Sequence, residues 1–260
     1  MLGHELVGVT DSGRRVTAEI NNSCHDCPAC LIGLANHCPN RTVLGILGHD
    51  GAMAELVAVP ERNLHRIPDA IDDRRAIFIE PLAAAFRIAE QITITEGLPI
   101  AVIGDGKLGL LCAWTLRASG ANLTLVGKHP DKLALAGEGI EPIGLEDAPT
   151  LGRAFDVVAD CTGSPTGLPT ALTLVRPLGT IILKTTIAGE YAINLAPIVI
   201  DEITVVGSRC GPFPRAIAAL ASGEIDPTPL LGPEFPLDQA DEAFAAASVK
   251  GARKVTIAVE

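Results

Sequence analysis

The chain has 260 residues, 48% of them hydrophobic, with 20 Lys and Arg against 31 Asp and Glu and a formal net charge of −11. That length holds one large domain or two modest ones with ample core, while the acidic balance argues against a nucleic-acid partner, which requires a basic face, and one Trp and one Tyr leave little for base stacking. Its apolar stretches are broken by Gly, Pro or charge well short of a membrane span and no apolar signal segment opens the chain, so a soluble, cytoplasmic protein is expected.

Residues 1–65 are rich in turn formers and short β-type runs, such as 51–60, and read as irregular β structure. Within them, Cys24, Cys27, Cys30 and Cys38 form a C-x2-C-x2-C-x7-C run. The two-residue gaps make tight turns and the longer gap brings the loop back, so four thiolates converge on one tetrahedral Zn²⁺. Such a site has no open position and holds a loop together without doing chemistry. Pro39 after Cys38 is a feature of an iron–sulfur run, but there the last gap is three residues and here it is seven. Disulfides are disfavoured by the odd total of seven cysteines; Cys112, Cys161 and Cys210 lie in apolar or glycine-rich stretches.

Helical signals follow over 72–91. From Pro99 onward β-rich runs at 100–103, 123–126, 155–159 and 179–183 alternate with helical ones at 108–118, 131–136 and 168–175. That alternation predicts an α/β fold with a doubly wound parallel sheet. Residues 212–260 offer two more helical segments and a closing strand at 254–259.

The first βα junction carries Gly104, Gly106 and Gly109 in the G-x-G-x-x-G spacing, after an apolar strand and at the start of a helix, the context a dinucleotide-binding fingerprint requires. Gly104 permits the turn, Gly106 lets backbone approach a pyrophosphate, Gly109 lets helix and strand pack closely, and the helix N-terminus faces the anion. Lys107 and Leu108 inside the fingerprint are counted as cofactor contacts. At the end of the second strand an NAD site places Asp or Glu on the ribose, whereas here the chain reads Gly127-Lys128-His129. Gly127 leaves room for a 2′-phosphate and Lys128 and His129, with Lys132 further on, supply positive charge, so NADP is favoured over NAD. The bland alternative is a solvated turn leading into the next helix.

Gly3-His4-Glu5, the four-cysteine lobe, Glu80-Pro81, the 104–109 fingerprint and the Lys254-Val-Thr-Ile run, in that order, resemble the zinc-dependent medium-chain alcohol dehydrogenase superfamily. The Glu-Pro pair is most similar to the sorbitol, threonine and glucose dehydrogenase branch. The resemblance implies a Rossmann sheet plus a partial GroES-like, β-rich catalytic domain: residues 1–90 catalytic with the zinc lobe, 91–210 dinucleotide-binding, 211–260 returning to the catalytic domain. It implies that His4 and Glu80 ligate a second, catalytic zinc, with Glu5 beside the metal or exchanging onto it, and that a small-molecule alcohol or carbonyl compound is the substrate. Read alone, His4 is an ordinary residue near a terminus and Glu80 a helix-start acid.

The family carries a longer piece before Gly-His-Glu, with a cysteine as first catalytic ligand and a Ser or Thr of the proton relay. Met1 directly precedes Leu2-Gly3-His4 here, so an N-terminally truncated member with an incomplete catalytic site is expected. Two functions follow: a zinc-dependent NAD(P)-linked alcohol or polyol dehydrogenase, or a catalytically silent dinucleotide-binding fragment with only the structural zinc. A short-chain dehydrogenase is disfavoured because the only tyrosine, Tyr191, is followed four residues later by Leu195 rather than lysine. Thr162 and Gly163 after one strand, Lys184 after another, and Arg209 near the return are softer cofactor contacts, each with a plain turn or ion-pair alternative. The family's habit of pairing subunits makes a homo-oligomer an expectation too.

Overall fold

The computed structural model describes residues 1–187 and 189–259. The chain divides into two compact units, 1–83 with 212–260 and 84–211.

In the first unit β1 (Gly8–Val9), β2 (Arg15–Ala18) and β3 (Asn21–Asn22) precede the short helix α1 (Pro28–Leu31), and β4 (Thr42–Leu44), β5 (Gly48–His49) and β6 (Leu64–Arg66) follow it. They form two small sheets, β1-β2-β6 and β3-β4-β5. Residues 51–60, expected as a β run, form no strand. The N–H groups of Gly51, Ala52 and Met53 are spent on the carbonyls of Met1, Gly3 and Leu2 in a turn (3.1, 2.9 and 3.0 Å), and Pro60 ends the stretch. The helical region at 72–91 is two helices, α2 (Asp73–Ala76) and α3 (Ile79–Gln91). Asp72 caps α2, its carboxylate accepting the Arg75 N–H at 2.8 Å, which satisfies one of the donors a helix start leaves open.

The second unit is built on β7 (Pro99–Ile103), α4 (Lys107–Ala118), β8 (Asn122–Gly127), α5 (Pro130–Leu133), β9 (Ile140–Gly144), β10 (Phe155–Asp160), α6 (Gly167–Leu174), β11 (Val175–Leu183), α7 (Ala196–Ile200) and β12 (Thr204–Gly207). All six strands run parallel in the order β12-β11-β10-β7-β8-β9. Ile100, Ala101 and Val102 of β7 and Leu123 to Val126 of β8 are buried, as parallel strands covered on both faces must be. Ile103, Val158 and Ile181 pack with Leu168 and Leu174 of α6 on one face. Strand order reverses between β7 and β10, and ligands of such sheets bind in the crevice outside the strand carboxyl ends at that point. Two strands were not legible in the hydrophobic pattern: β9, interrupted by Glu141 and Pro142, and the exposed edge strand β12.

The chain then returns to the first unit through α8 (Phe213–Ser222), β13 (Leu231–Pro236), α9 (Ala240–Ser248) and β14 (Lys254–Ala258). The His65 and Phe213 rings stack with centroids 5.2 Å apart, and Arg75 Nη2 donates to the Leu220 carbonyl, tying this return to the N-terminal part of the unit. Among the described residues no helix is long and apolar enough to cross a membrane.

Truncating Leu116 of α4, which is 1% exposed, to alanine is expected to cost about 2–5 kcal/mol by urea unfolding, through lost transfer energy and a residual cavity. Leu56→Ala, at a side chain left 88% exposed, is expected to change stability by less than about 0.5 kcal/mol. Equal effects would contradict this assignment of the core.

Candidate functional site

In the zinc-competent lobe, Cys27 immediately precedes α1, whose first residue is Pro28, and a 3-10 turn at Ala35–His37 leads back to Cys38. The sulfurs of Cys24, Cys27, Cys30 and Cys38 all lie within 4.8 Å of one another; Cys38 Sγ is 3.8 Å from Cys27 Sγ and 3.4 Å from Cys24 Sγ. Four thiolates at about 2.3 Å from one tetrahedral Zn²⁺ have this spread, so the residues fit the ion. The Cys38 thiol is pulled down to about 7, first by the Cys24 backbone N–H pointing at its sulfur, whereas desolvation beside its neighbours pushes Cys30 up to about 12. The site therefore starts from one easily formed thiolate, and metal binding releases the remaining protons.

A second cluster in the same unit joins His4 and Glu5 from the N-terminal stretch to Glu80 in the first turn of α3. One ligand atom of each lies within 4.8 Å of the others. Glu80 is 8% exposed. Burial, and then the Lys254 charge, hold His4 below the ordinary histidine value, so its imidazole is neutral and available to a metal. Lys254 at the start of β14 donates to the Glu5 carboxylate and sits 5.0 Å from the Phe78 ring centroid. Burial pushes its ammonium down to about 8. A cavity of about 490 Å³, walled by His4, Glu5, Ile46, Met53, Phe244 and Lys254, opens onto this cluster and is mostly apolar. Along the sequence Lys254 stands out only as the first residue of the Lys254-Val-Thr-Ile run. Its pairing with a residue 249 positions away leaves no local signal.

In the second unit the fingerprint glycines are needed for space. Gly104 has φ +113, and a β-carbon on it would stand 2.7 Å from the Cys161 carbonyl oxygen; one on Gly109 would stand 1.8 Å from the Gly104 oxygen. Above Gly106 nothing lies within 4 Å, and α4 begins there without a side-chain cap, leaving its N–H groups facing an open space suited to an anion. Lys107 and Leu108 form its first turn. Partial desolvation and then the Lys132 charge lower the Lys107 ammonium, so these two cations are near neighbours. Gly127 ends β8, Lys128 is exposed, and His129 and Lys132 are half-buried. Asp105 accepts the N–H groups of both Lys128 and His129 at 2.6 Å and contacts His129 Nδ1 at 3.0 Å. Burial raises the Asp105 carboxyl, but the His129 ring and these N–H donors together hold it below the ordinary carboxylate value.

The softer candidates are drawn into protein contacts. Thr162 gives its hydroxyl to Asp160 Oδ1 at 2.8 Å, and the Gly163 N–H reaches Thr185 Oγ1 at 3.1 Å. Lys184 is buried, its ammonium donating to the Ala84 carbonyl and to Ser208 Oγ at 3.2 Å. Arg209 is exposed, with Nη1 3.3 Å from Cys210 Sγ.

Residues 1–69 match the family model described as the alcohol dehydrogenase GroES-like domain. The chain is 29% identical to a sorbitol dehydrogenase of Halalkalibacterium halodurans over 98% of its own length and 82% of that protein's. L-idonate 5-dehydrogenase from Escherichia coli superposes with a TM-score of 0.90 at 25% identity, covering 99% of this chain and 81% of the other. A chain described as a zinc-binding dehydrogenase from Sinorhizobium meliloti, bound to NADP, gives 0.88 at 28% identity, covering 99% and 83%.

Lys254 makes the site's electrostatics measurable. Its folded value of about 8 lies below the ordinary 10.5, so between these limits the unfolded chain binds more protons and stability rises with pH. The contribution is complete above 10.5 and is lost as pH falls through about 8. Urea unfolding from pH 8 to 10 is expected to show a steeper rise for the wild-type chain than for Lys254→Met; parallel curves would refute the burial.

Proposed function

Because the chain belongs to the zinc-dependent medium-chain alcohol dehydrogenase superfamily, we propose that it moves hydride between a small alcohol or polyol and a nicotinamide dinucleotide, at a site formed by His4, Glu80 and Glu5. The observation that carries this reading is the convergence of those three side chains beside an apolar-walled cavity, separate from the four-cysteine lobe. Zinc held there would polarise the alcohol oxygen and the nicotinamide would take the hydride. His4 contributes a neutral nitrogen and Glu80 a buried carboxylate, while Lys254 orients Glu5. The cavity's apolar wall suits the carbon frame of a substrate and excludes water from it. The sorbitol and L-idonate specificities named for two relatives support a polyhydroxylated substrate class.

The dinucleotide of this reading is NADP. Its supports are the missing acid at the end of β8, the cations Lys107, Lys128 and Lys132, and the NADP-bound relative. The softer contacts Thr162, Gly163, Lys184 and Arg209 enter only as residues shaping the loops around the strand ends. All seven cysteines are free of disulfides, which suits a cytoplasmic, reducing compartment. A second reading, a silent dinucleotide-binding chain with zinc only in the cysteine lobe, is favoured by one observation: Glu5 is already engaged by Lys254.

Metal analysis of the purified chain, paired with alcohol-dependent NADP reduction, separates the two. The dehydrogenase reading expects two zinc equivalents, falling to one with loss of turnover in His4→Ala with Glu80→Ala, and a different one lost in Cys38→Ser. A single equivalent without turnover in the wild-type chain would establish the silent reading.

A homo-oligomer built on the edge of the parallel sheet is part of the same proposal. Among the described residues β12 pairs only with β11, so it is an edge strand, with Val205 38% exposed, and in the same unit α7 exposes Val199 at 75% and Ile200 at 77%. Sedimentation is expected to give a dimer or larger species, and Val205→Pro with Ile200→Lys to give monomers; a wild-type monomer would refute it.

A further inference from the structure

The turn after β8 holds a carboxylate that the strand itself does not supply. A β-carbon on Gly127 would stand 2.5 Å from Asp105 Oδ2, 2.6 Å from its Cβ and 2.8 Å from its Cγ. Gly127 is not among the residues with positive φ, so glycine is required there for room and not for backbone freedom. The Asp105 side chain, rooted between the first two glycines of the fingerprint, fills the volume in which a side chain at 127 would begin.

Its hydrogen bonds then shape the turn. Oδ2 takes the N–H groups of Lys128 and His129, each at 2.6 Å, and both oxygens lie 3.0 Å from His129 Nδ1. A carboxylate has about four acceptor sites, and most of these are occupied. Only 9% of the side chain is exposed, so little of it faces a ligand. The two backbone donors that could otherwise meet an anion are consumed, which leaves recognition to the side chains of Lys128 and His129, with Lys132 and Lys107 nearby and Asp131 the other acid of the segment.

We propose that Asp105 is the positioning residue of the 2′-phosphate subsite: it excludes any side chain from position 127, fixes the Lys128–His129 turn from beneath, and so presents the Lys128 and His129 side chains to the phosphate. This rests on the NADP reading and adds a residue to it. Asp105 acts through the turn and does not touch the phosphate.

Equilibrium titration of the full chain with NADPH and with NADH, followed by the fluorescence of the reduced nicotinamide, tests it without turnover. The wild-type chain is expected to bind NADPH more tightly; tighter NADH binding would overturn the NADP reading and this proposal together. Given NADPH preference, Asp105→Ala is expected to weaken NADPH on the order of tenfold, comparable to losing one oriented charged hydrogen bond, with NADH changed less than about threefold. Equal losses for both ligands, or no loss, would overturn the positioning role alone and leave the NADP reading standing. A selective loss of NADH would instead make Asp105 the ribose acceptor and also overturn it. Asp105→Asn keeps the volume and one acceptor oxygen, and is expected to give the same selectivity change at smaller amplitude if the alanine variant fails to fold. The steric clause has its own readout: Gly127→Ala should lower Tm in the wild-type chain but not in an Asp105→Gly background, and equal losses in both would refute it.

Discussion

The second unit depends on backbone passing backbone at a distance no side chain permits. Position 109 faces the Gly104 carbonyl and position 104 faces the Cys161 carbonyl, at separations of 1.8 and 2.7 Å from where a β-carbon would stand. These approaches let α4 start directly off the end of β7, beside the loop leaving β10, where strand order reverses. A helix placed so directs the N–H groups of its first turn toward the strand ends, the place where sheets of this kind meet anionic ligands. Gly106 adds no side chain to that space, where a β-carbon would meet nothing within 4 Å.

The first unit solves a different problem, that of holding charge in a partly desolvated place. Two carboxylates, Glu5 and Glu80, lie within 4.8 Å of each other and of an imidazole. Like charges at that range disfavour joint ionisation unless a cation offsets them. Lys254 supplies one, and its own burial cost appears as its lowered pKa. Such an arrangement is poor as pure stabilisation, since a buried pair barely repays its desolvation. Its consequence is local order: His4, Glu5 and Glu80 are held together beside the cavity.

Much of this was legible in the chain because it rests on short-range rules. The cysteine spacing gave the lobe, since sulfurs two residues apart on tight turns converge, and the glycine fingerprint gave the β7–α4 junction because its context of strand and helix lies next to it in sequence. The parallel sheet followed from alternating apolar runs, yet β9 escaped, its pattern broken by Glu141 and Pro142, as did β12, which lies half-exposed at an edge where burial imposes no pattern. Lys254 escaped for another reason. Its partner is at the opposite end of the chain, and long-range pairing of two charged side chains has no periodicity to betray it.

The glycine that ends β8 shows what a rule read along a single strand leaves out. An acid is absent from position 127, and along the strand a glycine there leaves a space. In the folded chain the room is filled from the side, by Asp105 reaching across from the neighbouring loop. A sequence rule that looks along the strand asks which atoms are attached at a position, whereas a ligand meets only which atoms occupy the space. Parallel neighbours β7 and β8 bring the ends of two βα loops together, so either can furnish the side chain at this corner. What distinguishes the two sources is orientation: an acid on the strand would point its oxygens outward, and the one on the loop is turned under the Lys128 and His129 amides, which draw its charge inward. A carboxylate in nearly the same place thus serves the turn's geometry, while the Lys128 side chain stays exposed.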